Sequence, residues 1–83
     1  MKVPESLVAI LRCPENHQPL VLADPDTLLE LNKKIALNQV SNRGGAIVET
    51  EIEAGLIRED RQRLYPVREG FPIMLVDEAI DLV

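Results

Sequence analysis

The only cysteine and the only histidine of this chain lie four residues apart, in the segment Cys13-Pro14-Glu15-Asn16-His17. A thiolate and an imidazole are zinc ligands, and a structural zinc site takes four ligands, mostly cysteine and histidine. One of each leaves the set incomplete, and carboxylates such as Glu15 or Asp60 would have to complete it, which is uncommon in structural sites. We therefore predict no metal site and no cofactor.

The same pair could also form a cysteine–histidine catalytic dyad. A dyad needs a third group that orients the histidine, and a cleft for the substrate. Four residues of separation beside a proline supply neither of these. We interpret Cys13 as half-buried and His17 as a surface residue, and we predict no catalytic residue and no enzyme activity.

Carboxylate side chains are plentiful, and pairs of them can perform acid–base catalysis or bind hard cations. Nothing in the sequence places two of them in an apolar setting, so we interpret them as solvated strand faces, helix caps and turn tips. The clusters are Asp24/Asp26, Glu49/Glu51/Glu53, Glu59/Asp60 and Asp77/Glu78.

Composition excludes several classes of function. The 83 residues carry a net charge of −5, so the chain repels phosphate backbones and direct nucleic-acid binding is not expected. The aromatic residues are Tyr65 and Phe71 alone, too few for a base-stacking surface. We find no signal-peptide pattern and no apolar stretch long enough to span a membrane, and we expect a cytoplasmic protein.

The first part of the chain is organised around two helices. A short helix is predicted over Pro4–Leu11, with Leu7, Ile10 and Leu11 on one face, and a strand over Pro19–Ala23. A longer helix is predicted from Asp24, which suits the N-cap position, to about Asn38.

The second part is predicted to be mainly strands. Ala46–Ile52 has a strand-like pattern, and Gly55–Arg58 and Arg63–Tyr65 are predicted as the arms of a hairpin with a charged tip at 59–62. A helical turn is predicted over Asp77–Ile80.

The stretch Leu64–Val76 shows two apolar runs around the turn Arg68-Glu69-Gly70, where the glycine can adopt a positive φ. Pro66 and Pro72 cannot donate ladder hydrogen bonds, so a strand over Phe71–Val76 is predicted at a sheet edge. An apolar edge needs a cover or a partner.

Two sequence blocks resemble the small zinc-ribbon family of methyltransferase activators. The blocks are LVAILRCP, residues 7–14, and LYPVREGFPIMLVDEA, residues 64–79. The family is known for the non-catalytic activator subunit of tRNA methyltransferases, and short bacterial relatives share its tyrosine-proline-x-arginine-x-glycine-x-proline pattern.

The chain differs from this family at the residues that would bind zinc. The resemblance places two cysteine pairs at positions 13 and 16 and at positions 58 and 61. Here these positions hold Cys13, Asn16, Arg58 and Arg61, so three of four zinc ligands are absent. The resemblance thus implies a ribbon without its zinc, and we expect packing of the helix after Asp24 to replace the metal.

The resemblance also implies a binding surface, because the family binds its methyltransferase near the C-terminal block, partly by strand addition. The implied contact residues are Phe71, Pro72, Ile73, Met74, Leu75 and Val76, with Ile10 and Leu11 as weaker candidates.

Together these observations predict one α+β domain with a three- to four-stranded antiparallel sheet, an N-terminal helix and an inserted helix. Residues 1–23 and 54–83 would form two ribbon-like halves around an insert at 24–53. The predicted function is a non-catalytic protein-binding module, an activating or stabilising subunit of a methyltransferase that acts on tRNA or translation components. The alternatives are an obligate homodimeric structural protein and a degenerate zinc- or RNA-binding ribbon.

Overall fold

An antiparallel sheet of five short strands forms the centre of the computed structural model, which describes residues 5–82. The strands are β1 (Leu20–Leu22), β2 (Ala54–Arg58), β3 (Arg63–Arg68), β4 (Phe71–Pro72) and β5 (Ile80–Asp81). They follow the order β1-β2-β3, and both β4 and β5 pair with the outer side of β3. The predicted α+β fold is confirmed, with five strands where three or four were expected.

The β2–β3 hairpin carries the core on both of its faces. Leu56 lies opposite Tyr65, and Ile57 lies opposite Leu64. Because neighbouring side chains of a strand point to opposite faces, these two pairs belong to two separate apolar clusters. The first cluster also contains Val8, Cys13, Leu20, Val67 and Ala79, and the second contains Leu31, Ile35, Val40, Val48, Ile52 and Ile80.

Helix α1 (Glu5–Ile10) packs on the first face of the sheet. Val8 is buried there, and Leu7 and Leu11 pack against the same cluster. Ile10, expected on the shared apolar face, is instead 73% exposed. The predicted helix is confirmed from Glu5 onward, and its first residue, at position 4, lies outside the described residues.

Helix α2 (Pro25–Ala36) packs on the second face, where Leu31 and Ile35 are buried. Asp24 caps it as predicted: its carboxylate accepts hydrogen bonds from the Thr27 backbone N–H and from Thr27 Oγ1, at 3.2 and 2.6 Å. None of the helices within residues 5–82 has the length and apolar character needed to cross a membrane.

The strand predicted over Ala46–Ile52 is wrong. Ser41 and Ile47 form only an isolated bridge, and the rest of this segment is irregular. The Asn32 side chain of α2 explains why, because its amide takes the place of a strand partner. Its Oδ1 accepts from the Ile52 N–H at 2.9 Å and its Nδ2 donates to the Ile52 carbonyl at 3.0 Å.

The long edge strand predicted over Phe71–Val76 is also wrong, since β4 ends at Pro72. The outer side of β3 is shared: β4 pairs with Val67 and Arg68, whereas β5 pairs with Arg63 and Leu64. A six-residue strand at this edge would collide with β5. The chain instead makes a 3₁₀ turn at Val76–Glu78, and Ile80, which was predicted in a helical turn, begins β5.

Replacing Asp24 by alanine should lower the melting temperature at pH 7 by about 4–8 °C, because the cap of α2 is lost. The two hydrogen bonds from Thr27 hold the pKa of the Asp24 carboxyl below its ordinary value. Its contribution is therefore present at neutral pH and is lost as the pH falls below about 4.

Thermal melts of wild type and Asp24→Ala at pH 7 and pH 3 check this prediction. The difference between the two proteins should shrink at pH 3, whereas Asp24→Asn, which keeps an acceptor but does not titrate, should stay close to wild type at pH 7. A difference that is the same at both pH values would contradict it.

Candidate functional site

The segment from Cys13 to His17 folds as a tight turn, which we call the knuckle. The His17 N–H donates to the Cys13 carbonyl at 2.8 Å, and the Cys13 N–H donates to the Gln18 carbonyl at 2.9 Å. His17 has a positive φ of 63° and is exposed. Asn16 Oδ1 accepts from the Gln18 N–H at 3.1 Å, so the side chain at a position where the family has a cysteine stabilises the turn's backbone here.

Cys13 is fully buried, and its sulfur lies among groups from β2 and β3. Sγ is 3.0 Å from Tyr65 Oη and 3.8 Å from Arg58 Nη1. These groups surround the thiol, whereas His17 is at the surface. The structure therefore does not support a Cys13–His17 dyad, and Cys13 is more deeply buried than predicted.

Arg58 is the hub of an ion-pair network beside this thiol. Its Nε donates to Asp60 Oδ1 at 2.9 Å and its Nη2 lies 2.8 Å from Asp60 Oδ2, a bidentate pair. Nη1 lies 3.7 Å from Glu15 Oε1 of the knuckle. The pairing with Asp60 raises the pKa of Arg58, so the guanidinium is always charged.

A second buried arginine extends the network. Arg63 Nη1 lies 2.8 Å from Glu15 Oε2, and its Nε lies 3.5 Å from Asp81 Oδ1. The geometry of both contacts is not that of a hydrogen bond. The two buried nitrogens are therefore paired with the carboxylates by charge alone. Glu15, which was considered as a zinc ligand, instead neutralises guanidinium charge, and ion pairing with Arg63 lowers its pKa.

The residues at the four positions where the family resemblance places zinc ligands do not suit the metal. Arg58 places a cation beside the one thiol, Asn16 caps the turn, and Arg61 is exposed. Among the described residues, no three histidine, cysteine, aspartate or glutamate side chains come together as metal ligands. These side chains therefore suit contacts with a guanidinium and do not suit coordination of zinc.

The predicted contact residues fall into two groups. Phe71, Leu75 and Ile10 are exposed, at 70%, 63% and 73%. The others are half-buried, and Leu11 and Met74 pack against the first apolar cluster. The half-buried residues are Leu11, Pro72, Ile73, Met74 and Val76.

The turn before Phe71 has the geometry of a type I′ hairpin. Glu69 and Gly70 have φ values of 53° and 81°, and Arg68 lies opposite Phe71. The Gly70 N–H donates to Glu53 Oε1 at 2.8 Å, which anchors the turn to the preceding segment. The hairpin therefore presents Phe71 from a fixed backbone.

The Trm112p-like protein family matches residues 5–70. The chain belongs to the Trm112p-like family. Its structure is similar to the solution NMR structure of XF2673 from Xylella fastidiosa, at a TM-score of 0.76 and 30% sequence identity, over 95% of this chain and 81% of that chain. Among curated proteins, none matches the chain significantly.

Membership confirms the family resemblance drawn from the two sequence blocks, with cysteine lost at three of the zinc positions. Members of the Trm112p-like family are small activators of methyltransferases without catalytic activity, which supports a role as a protein-binding partner. The match ends at Gly70, so Phe71–Val76 lies beyond it.

Sequence reasoning missed the buried roles of Arg58, Arg63 and Tyr65. Arg58 and Arg63 flank a four-residue charged turn, at strand positions that the hairpin register places on the face of Tyr65. That alternation could have indicated that both arginines point toward the first apolar cluster.

Tyr65 should ionise far above the ordinary tyrosine range. Burial, with the hydrogen bond to Cys13, raises the pKa of Tyr65 to about 12. The fold accommodates the neutral phenol and not the phenolate. The stability that depends on neutral Tyr65, on the order of 2–3 kcal/mol, is therefore present below pH 10 and is lost as the pH rises toward 12.

Near-ultraviolet absorbance of tyrosinate reports the ionisation of Tyr65 alone, because the chain has one tyrosine and no tryptophan. We expect ionisation and loss of circular dichroism to coincide well above pH 10, and Tyr65→Phe to remove most of that alkaline transition. Ionisation near pH 10 in a protein that stays folded would contradict the assignment.

Proposed function

We propose that this chain is a non-catalytic subunit that binds and activates or stabilises a methyltransferase acting on tRNA or other translation components. The observation that carries the proposal is Phe71, exposed at the open edge of the sheet. Family membership supplies the class of partner, and the structure supplies the candidate surface.

The exposure of Phe71 needs an explanation because aromatic side chains are scarce here. The chain has two, and the other, Tyr65, is completely buried. Buried aromatic anchors dominate the binding energy of many protein interfaces. An aromatic ring held on a rigid hairpin, with exposed Leu75 four residues further along the chain, is typical of such an anchor.

The backbone of β4 limits how a partner strand can add to this edge. The Ile73 N–H donates to the Pro66 carbonyl at 2.9 Å, so the backbones of residues 71 and 73 face β3. Pro72 faces outward and has no N–H to donate. A partner would therefore gain little from a hydrogen-bonded ladder and must recognise the side chains of Phe71 and Leu75.

The edge also separates contact residues from residues of the core. Met74 packs against the first apolar cluster, so an aspartate there would disturb folding as well as binding. Phe71 and Leu75 are exposed and can be replaced without opening the core. They are the residues whose substitution tests the surface.

Replacing Phe71 or Leu75 by aspartate should weaken partner binding by about 30-fold or more, as expected for an interface anchor. The measurement is recovery of a methyltransferase with the tagged protein from a lysate, followed by the affinity of the purified pair. Methyl transfer from a labelled methyl donor should rise when the wild-type chain is added to the enzyme.

Leu37→Asp is the matched control, because Leu37 is 66% exposed and follows α2 on the other face of the sheet. Val21→Asp tests the opposite sheet edge, since Val21 of β1 is half exposed. Both variants should bind like wild type. Recovery of no methyltransferase, or binding by the Phe71 and Leu75 variants that equals that of wild type, would overturn the proposal. Light scattering of the purified chain shows whether the edge instead pairs with a second copy.

A further inference from the structure

The network around the buried Arg58 joins two parts of the chain that are distant in sequence. Cys13 and Glu15 belong to the knuckle, whereas Arg58 and Asp60 belong to the end of β2 and the turn after it. The network lies beside Tyr65 on the first face of the sheet. Two of its members, Cys13 and Arg58, lie at positions where the family resemblance implies zinc ligands.

Arg58 makes contacts in several directions at once, as a metal ion would. Its Nε and Nη2 hold Asp60, and its Nη1 approaches both the sulfur of Cys13 and a carboxylate oxygen of Glu15. The Arg58 side chain is only 7% exposed, whereas Asp60 and Glu15 are 26% and 42% exposed, so solvent screens the two ion pairs from the carboxylate side. A planar guanidinium with five N–H donors suits this arrangement.

Two further hydrogen bonds join the β2–β3 turn to the residues that directly follow the knuckle. The Glu59 N–H donates to the Pro19 carbonyl at 3.0 Å, and the Asp60 N–H donates to Gln18 Oε1 at 3.2 Å. Neutral hydrogen bonds therefore hold the two residues that follow the knuckle, Gln18 and Pro19, beside the β2–β3 turn, and the Arg58 guanidinium makes the charged contacts to the knuckle itself.

We infer that the Arg58 guanidinium cross-links the knuckle to the β2–β3 turn in place of a structural metal. A cation 3.8 Å from Cys13 Sγ disfavours a second cation at that sulfur, so the same arginine also excludes zinc. Helix α2, which was expected to replace the metal, packs on the opposite face of the sheet, where Leu31 and Ile35 belong to the second apolar cluster. The inference concerns the isolated chain and does not depend on the proposed function.

Metal analysis of the purified full chain is the first test. We expect no stoichiometric zinc, and a melting temperature that is unchanged by a strong chelator or by added zinc. Stoichiometric zinc together with a fall in melting temperature on chelation would overturn the inference.

Substitution of Arg58 is the second test. Arg58→Ala removes a buried side chain together with its bidentate pair to the partly exposed Asp60, and it should lower the melting temperature by about 4–8 °C. Arg58→Lys should have an intermediate value, because an ammonium keeps the charge but cannot form the bidentate pair. Arg61→Ala is the matched control, since Arg61 lies in the same turn and is exposed; it should remain within about 3 °C of wild type.

If Arg58→Ala does not fold, Asp60→Asn replaces it, because this change weakens the bidentate pair and keeps the size of the side chain. It should lower the melting temperature more than Arg61→Ala does. The inference is wrong if neither Arg58→Lys nor Asp60→Asn is less stable than Arg61→Ala.

Discussion

The rest of this structure depends on the buried guanidinium of Arg58. A small chain buries a limited share of its surface, so an irregular segment such as the knuckle needs an additional cross-link. Arg58 supplies it by pairing with Asp60 in its own turn and with Cys13 and Glu15 of the knuckle. Because the guanidinium is buried, substitution of Asp60, its bidentate partner, leaves a buried charge without its main counter-ion.

The two faces of the sheet have different roles. On the second face, α2 covers Ile57 and Leu64 with ordinary apolar packing. The first face combines apolar packing with the charged cluster, and it ends at β4, where the chain exposes Phe71. Tyr65 and Val67 of β3 connect the cluster to that edge, because β3 pairs with β4 at Val67. The charged cluster thus supports the strand on which the proposed binding edge is built.

Local sequence signals predicted the elements that depend on local chemistry. Asp24 before a proline predicted the start of α2, and the Glu69-Gly70 turn and the β2–β3 hairpin followed from turn residues between apolar runs. Ala46–Ile52 was mispredicted because the decisive interaction, a side-chain amide of Asn32, comes from a helix 20 residues away. The C-terminal edge was mispredicted because β5 competes for the same side of β3.

The candidate site was only partly visible in the sequence. Family resemblance identified Cys13, Asn16, Arg58 and Arg61 as former zinc positions, and it supplied the contact residues at 71–76. The sequence did not show that Arg58 and Arg63 point inward, because charged residues are expected at the surface unless they are paired. Their partners, Glu15, Asp60 and Asp81, are brought together only by the sheet register.

Amide hydrogen exchange of the Arg58→Lys variant tests the central claim most directly. The amides of Cys13 and His17, hydrogen-bonded within the knuckle, are compared with the Val48 amide, which donates to the Val40 carbonyl on the opposite face. We predict that protection of the two knuckle amides falls at least about tenfold more than that of Val48. Equal loss at all three amides, or unchanged protection of the knuckle, would contradict a local cross-link by Arg58.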